Sequence, residues 1–372
     1  MTDDAGARPV LESPVLEPPY RTVLKPYGHA LVELARQRPE IVCLSGDLTR
    51  QCEIDLFQAA FPDRFIHAGM AEANMIGVAG ALARQGLMPW VHSFGVFTTR
   101  RPLDQIVNAV AYPRLPVRIV GFMPGISSPG GPSHQAIEDV ALMRALPGMT
   151  VIDVADATET AQAVAAIADL PGPVYLRLKR GEIPVIFPDD HQFSPTRAQV
   201  LVEAGGGTLS RNRSLNGEHA PGDLWLPPSE VALIASGMMV PPALAAATTL
   251  REHRVATTIV NVPVIKPLDA TTVLTAATSA KVVITAENHS IIGGLGSAVA
   301  ESLAESGLGR PLRRIGLADT FAEGAQDARY LFTKYGLTVQ RLINTTWSAL
   351  DRPGTPPRSS PLPANADEYS PV

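Results

Sequence analysis

Glu72 heads the stretch EANMIGVAGALAR, directly after HAGMA, so a carboxyl is presented where a loop meets an apolar helix-like run. Such a group can complement the positive end of the helix dipole, worth ~0.3–1 kcal/mol, or exchange a proton with a bound ring. Phe94 and Phe97 stand three apart in VHSFGVFTTRRPLDQI, in a chain that is only 5% aromatic. Two aromatics so spaced form core, or supply a flat wall for a heteroaromatic ring. His134 follows PGISSPGGPS, a loop rich in Gly, Pro and Ser. A loop that delivers His to a helix start can place a surface cap, a proton donor or an anion ligand. Arg180 ends YLRLKR, where a cation is either solvated at a strand end or free to meet an anion.

These residues need a scaffold, and the apolar pattern predicts one. Glu72–Arg84 reads as a helix, with Met75, Val78, Ala79 and Leu82 at the spacing of one buried face. Tyr27–Arg38, His134–Ala145 and Glu159–Ala168 read as further helices. Ile41–Leu44, Val117–Phe122, Val151–Val154 and Val174–Leu178 read as short buried strands. This alternation predicts an α/β fold built on parallel sheets covered on both faces. After GGGTLSRNRSLNGEHAPGDLWLPPS the rhythm restarts. Strands Val231–Ala235, Thr257–Val262 and Val282–Ala286 alternate with helices Pro242–Glu252, Ala270–Ala277 and Leu295–Glu305. The expected organisation is a mobile tail over 1–18, a first domain over 19–186 and a linker with an insertion over 187–228. A smaller domain over 229–347 and a disordered tail over 348–372 complete it.

Composition narrows the function. The 372 residues are 45% hydrophobic and 18% charged, with a formal charge of −5. No long basic block occurs, which argues against binding driven by phosphate neutralisation. Cys43 and Cys52 are the two cysteines, too few for a disulfide framework or a four-cysteine metal site. The acidic, proline-rich first twenty residues do not read as a signal peptide, and no apolar run approaches the ~18–20 residues of a membrane span. A cytoplasmic protein is expected.

Taken in order, HAGMAEANMIGVAGALARQG, VHSFGVFTTRRPLDQIVNAV and PGGPSHQAIEDVALMRALPGM strongly resemble the pyrimidine-binding domain of transketolases, above all the C-terminal subunit of split, two-chain transketolases. VALIASG, VPVIKPLD, ENHSIIGGLGSAVAESLAE and LFTKYGLT extend the resemblance through the second domain. The resemblance implies a thiamine-diphosphate enzyme that transfers a two-carbon ketol unit. It implies that Glu72 hydrogen-bonds the cofactor's aminopyrimidine ring, the contact that lets the thiazolium lose its C2 proton. Phe97 would stack on the pyrimidine with Phe94 behind it, and Asp47 would face the cleft near the thiazolium. His134 would contact the donor's hydroxyl, and Arg180 the acceptor's terminal phosphate. The diphosphate–Mg²⁺ motif of this superfamily, GDG followed by a distant Asn, has no counterpart, since Gly46–Leu48 reads GDL. An N-terminal transketolase subunit bearing GDG…N must then hold Mg²⁺ and the diphosphate, in an α₂β₂ heterotetramer. The rivals are the β subunit of a 2-oxo acid dehydrogenase decarboxylase and a non-catalytic paralogue serving as scaffold. GGLG at Gly293–Gly296 reads as a tight strand–helix turn rather than a dinucleotide site.

Three departures from sugar-phosphate transketolases bear on substrate. Leu24, with Lys25 adjacent, stands where the family has an Arg. Phe122 or Met123 stands where it has a phosphate-contacting His, which would make that end of the channel apolar. Gly130 stands where it has an Asp. The acceptor is therefore expected to be something other than an ordinary pentose phosphate.

Overall fold

The structure, a computed structural model, describes residues 21–202, 204 and 226–359. The first domain contains strands β1 (Thr22–Leu24), β2 (Ile41–Ser45), β3 (Phe65–His67), β4 (Met88–Phe94), β5 (Arg118–Phe122), β6 (Thr150–Asp153), β7 (Val174–Leu178) and β8 (Glu182–Pro184). Its helices are α1 (Pro26–Gln37), α2 (Asp55–Ala60), α3 (Glu72–Arg84), α4 (Gly95–Thr99), α5 (Leu103–Gln105), α6 (Asp139–Ala145) and α7 (Ala157–Ala168). The second domain contains β9 (Gln199–Val202), β10 (Val231–Ala235), β11 (Thr257–Asn261), β12 (Val264–Lys266), β13 (Val282–Ser290) and β14 (Leu312–Leu317). Its helices are α8 (Val240–Glu252), α9 (Ala270–Ser279), α10 (Leu295–Glu305), α11 (Ala328–Lys334) and α12 (Val339–Ala349).

Side chains alternate across each sheet, and both faces are dry. In β2, Ile41 and Cys43 join Tyr27, Leu31, Trp90 and Leu176 on one face, while Val42 and Leu44 join Met75, Ile76, Ile119 and Tyr175 on the other. Polar atoms inside such a layer must find partners. His92 of β4 does so, with Nδ1 3.0 Å from the Leu44 carbonyl and Nε2 2.6 Å from the Tyr27 hydroxyl. Helix α3 packs closely against the helical segment Ile106–Ala111 because Gly80 has no side chain; a Cβ there would stand 2.5 Å from the Ala109 carbonyl oxygen.

The first sheet has the order β12-β6-β7-β5-β4-β2-β3, and the second β14-β13-β10-β11-β9. β2 to β7 pair in parallel, as do β10, β11, β13 and β14. Two strands cross the expected boundaries. β9 lies inside the stretch expected as linker and pairs antiparallel with β11. β12 leaves the second domain to pair antiparallel with β6 of the first, Val264 opposite Ile152. There the Asp153 N–H donates to the Pro263 carbonyl at 2.8 Å, and Lys266 Nζ donates to the Arg144 carbonyl at 2.7 Å.

A charged knot closes the seam between the domains. Arg177, 1% exposed, donates to Asp139 at 2.8 and 3.2 Å, to Asp153 at 2.8 Å and to the Asn288 carbonyl at 3.0 Å. Tyr175 Oη donates to Asp139 at 2.6 Å, and Ser236 Oγ to Asp153 at 3.0 Å. The Glu287 carboxylate accepts the first backbone N–H groups of α10, from Leu295 and Gly296 at 2.6 and 2.9 Å. The chain's own carboxylate thus occupies the helix terminus at GGLG, as a structural turn requires. His289 is buried beside it, with Nδ1 2.6 Å from the Ser290 carbonyl. Burial pushes the His289 pKa down to about 4 and that of Glu287 up to about 7.

Three expectations need correction. The helix expected from His134 begins at Asp139. Residues 134–138 instead form a turn, where the Ala136 carbonyl accepts the Gly125 N–H at 2.9 Å. β4 was absent from the strands predicted by pattern, yet it lies near the middle of the sheet. Residues 350–359 are no free tail: Arg352 pairs with Glu230, and the Ser359 N–H donates to Gln340 Oε1 at 3.0 Å. The expected tail over 1–18 and most of the insertion lie outside the described residues.

Candidate functional site

Strand β2 leads to its neighbour β3 on one side, and the chain then returns to β4 on the other side of β2. A reversal of this kind opens a crevice beyond the carboxyl ends of the strands, where α/β sheets bind ligands. The segments that follow β2, β3 and β4 carry Asp47, in a loop, Glu72, at the start of α3, and Phe97, in α4. They converge: a Cβ on Gly46 would stand 3.6 Å from both the Gly69 carbonyl oxygen and Ser93 Oγ.

Glu72 is the first residue of α3 and 3% exposed. Its Oε1 accepts from Arg101 Nη1 at 2.8 Å, while Oε2 has no hydrogen-bond partner among the described residues. The Arg101 guanidinium lies 4.1 Å from the centroid of the Phe97 ring. Phe94, 8% exposed, lies nearly parallel to Phe97 at 14° and 6.1 Å. His134 meets the edge of Phe97 at 5.3 Å and 74°, and its Nδ1 lies 2.9 Å from Ser133 Oγ. Glu72, Phe97, Phe94 and His134 are therefore one contiguous group. The arrangement offers a buried carboxyl, a half-exposed aromatic ring under a guanidinium and an imidazole at its rim. Those are the requirements of a flat, nitrogen-bearing ring.

The other expected residues are placed more loosely. Asp47 is exposed two positions beyond β2, on the same rim. Arg180 lies two residues past β7, half-buried, and donates no hydrogen bond among the described residues. It does not touch the Glu72 group. Beside it, Lys179 Nζ is buried without a hydrogen-bond partner, and burial pushes its pKa down to about 7. Among the described residues no group of three or more His, Cys, Asp or Glu could hold a metal ion.

The departures read differently in three dimensions. Phe122 is fully buried, with its ring 5.5 Å from Tyr27, so it belongs to the core and lines no channel. Met123 is 6% exposed and turns the chain with φ 58°. Lys25 is committed to Asp55, Nζ to Oδ2 at 2.7 Å, and Leu24 is exposed. Gly130 is needed where it stands, because a Cβ there would approach His134 Cβ to 2.9 Å.

Sequence reasoning missed Arg100 and Arg101. Arg100 pairs with Glu138 and donates to the Pro132 and Gln135 carbonyls at 3.3 and 3.4 Å, which ties down the loop bearing His134. The available signal was the four-residue step from Phe97 to Arg101, which brings two side chains together on a helical turn.

Comparison with known proteins identifies the family. The sequence pattern described as "Transketolase, pyrimidine binding domain" matches residues 21–185, and "Transketolase, C-terminal domain" matches 226–342. The chain is 40% identical over 322 residues to an uncharacterized transketolase family protein of Sinorhizobium fredii, covering 86% of each. It is 38% identical over 328 residues to the 6-deoxy-6-sulfo-D-fructose transketolase subunit SqwH of a Clostridium species, covering 88% of this chain and 94% of that one. A solved split-gene transketolase, described as an inactive β4 tetramer, overlays with a TM-score of 0.75 at 38% identity, over 88% of this chain and 97% of the other. The transketolase of Campylobacter jejuni shares the fold, with a TM-score of 0.69 at 20% identity, over 88% of this chain and 47% of its own. With two domain patterns matched in succession and relatives aligned along most of its length, the chain belongs to the transketolase family.

Proposed function

We propose that this chain is the pyrimidine-binding subunit of a two-chain, thiamine-diphosphate-dependent enzyme. It would move a two-carbon ketol unit from a ketose-type donor to an aldehyde or carrier-bound acceptor. One observation carries the reading: the Glu72 carboxyl, with Oε2 uncommitted, sits in one constellation with the half-exposed Phe97 ring and His134. Thiamine diphosphate, when bound, supplies the carbanion chemistry that side chains lack.

The residues present fit the pyrimidine half of that cofactor. Glu72 would hold a ring nitrogen through Oε2, and Phe97 would take the ring face with Phe94 buttressing it. Asp47, on the rim, would face the thiazolium. His134 would bind and orient a donor hydroxyl, and Arg180 would meet an anionic group of the acceptor. The sequence lacks GDG…N, which supports a partner N-terminal subunit that holds Mg²⁺ and the diphosphate, with the site formed between unlike chains of an α₂β₂ assembly. The likeness to proteins named as a transketolase subunit and a split-gene transketolase supports the same division of labour.

Lys25 is engaged with Asp55 and Gly130 is closed to an acidic side chain. Both support an acceptor other than an ordinary pentose phosphate. The test is reconstitution of this chain with a GDG…N subunit, thiamine diphosphate and Mg²⁺. Ketol transfer should require both chains and should disappear in Glu72→Ala while the fold stays intact. Turnover by this chain alone would refute the two-chain reading. A kcat/KM for ribose 5-phosphate within the ordinary enzyme range of about 10⁴–10⁵ M⁻¹s⁻¹ would refute the acceptor reading.

A further inference from the structure

The two arginines of FTTRRPLD are neighbours in sequence, yet they serve different segments. Arg100 binds the loop of residues 132–138. Arg101 reaches the other way, to Glu72 across the crevice. It makes two contacts at once: a charge-assisted hydrogen bond to one carboxylate oxygen, and a cation–π contact on the ring of Phe97. A guanidinium is planar and rigid, so the two contacts constrain each other. A carboxylate at the head of a helix can otherwise rotate about its χ3 bond, since that terminal torsion is broad. With Oε1 pinned to Arg101, the plane of the carboxyl is set and Oε2 is the oxygen left for a ligand.

We infer that Arg101 is a positioning residue: it pins Oε1 of the Glu72 carboxyl beside the Phe97 ring, so that a bound aminopyrimidine meets Oε2 in a fixed orientation. This rests on the proposed thiamine-diphosphate reading. Lysine would be a poor substitute, because an ammonium can take the hydrogen bond but lacks the rigid planar fork that joins the two contacts. The half-exposed side chain of Arg101 suits the role, since water reaches its outer edge and the protein holds only its inner one.

The test uses Arg101→Met and Arg101→Lys in the reconstituted two-chain complex. Three quantities are measured: thiamine diphosphate Kd by fluorescence titration, deuterium exchange of the cofactor's C2 hydrogen by quenched NMR, and thermal stability. Arg101→Met should raise Kd several-fold and slow exchange by about tenfold to a hundredfold at saturating cofactor, the cost of a displaced catalytic contact. Its Tm should stay within a degree or two of wild type. Millimolar methylguanidinium should restore part of the exchange rate in Arg101→Met and change nothing in wild type, and Arg101→Lys should recover less than the added guanidinium does. Unchanged exchange in Arg101→Met, with wild type exchanging normally, would overturn the inference alone. So would tighter cofactor binding, which would mean that the guanidinium competes with the ring, or a loss that follows a lowered Tm and resists rescue. A wild-type complex that neither binds the cofactor nor exchanges its C2 hydrogen would overturn the functional reading, and this inference with it.

Discussion

At the seam between the domains, Arg177 donates to two carboxylates and a carbonyl and is shut off from water. At the mouth of the crevice, Arg101 donates to a single carboxylate oxygen and keeps half its side chain in solvent. Both are arginines facing acids, but Asp139 and Asp153 each have a second donor, Tyr175 and Ser236, while Glu72 has Arg101 as its single donor among the described residues. Burial of a charge is tolerable when it is paired and further hydrogen bonds support the pair. A carboxylate with a single donor, beside a half-exposed ring, has room for a further contact. The number of donors gathered around the acids, more than their burial, separates the two regions.

Breaking the seam should therefore cost stability, while breaking the crevice should cost ligand. The largest effect expected is from Arg177→Met, which leaves Asp139 and Asp153 buried without their cation. Loss of one partner of a buried pair costs about 3–5 kcal/mol, and urea unfolding should show it directly. A change under 1 kcal/mol would mean that the two carboxylates escape to water or to protons, and that the seam is looser than its geometry.

Acidification offers a second probe of the seam. His289 has its pKa pushed from 6.5 to about 4 by burial, so between those values the unfolded chain binds more protons than the folded one. Its contribution is full above pH 6.5 and lost as pH falls toward 4. Glu287, raised from 4.5 to about 7, has the opposite sign: its contribution is full below pH 4.5 and lost as pH rises through 7. His289→Gln removes the first effect and keeps the second. The stability gap between wild type and variant should shrink by ~3 kcal/mol from pH 6.5 to 4, taking ~1.4 kcal/mol per pKa unit. A gap that stays constant across that range would mean that the folded protein already carries a charged imidazole.

The smallest effect is expected in the crevice. Phe97→Ala should weaken thiamine diphosphate binding to the two-chain complex by about 0.5–1.5 kcal/mol, the worth of an aromatic stack, with no loss of thermal stability. An unchanged Kd would remove Phe97 from the binding wall and leave it as packing.

How far the sequence reveals these regions depends on the range of the interactions involved. Glu72–Arg84, Val174–Leu178, Val231–Ala235 and Leu295–Glu305 have the bounds that periodicity predicts, because their apolar faces follow local rules. β4 hides because MPWVHSF mixes Pro, His and Ser into a central strand. Only the folded chain reveals that Tyr27 and the Leu44 carbonyl satisfy His92. The start of α6 is hidden because Ala136 and Ile137 imitate a helical face, although Ala136 bridges to Pro124 and Gly125 instead. At the site, Glu72, Phe97 and His134 were legible as types in order, and Phe122 was mistaken for a channel wall because local sequence does not tell which face of a sheet end is filled. Arg101 carries no local signal of its contact with Glu72, because that partner stands 29 positions away.

The strand that the second domain lends to the first has a consequence for how this protein can change. β12 covers the outer edge of β6, and Lys266 secures the carbonyls that end α6. A chain cut after the first domain would leave β6 as a bare edge, ready to pair with any strand it meets. The two domains are thus not exchangeable modules: recombination between them, or replacement of one by a distant homologue, must carry the β12 segment along with the first domain. Sequence change in VPVIKPLD is accordingly bound to change in β6 and α6, more than a hundred residues earlier, and the two halves must drift together.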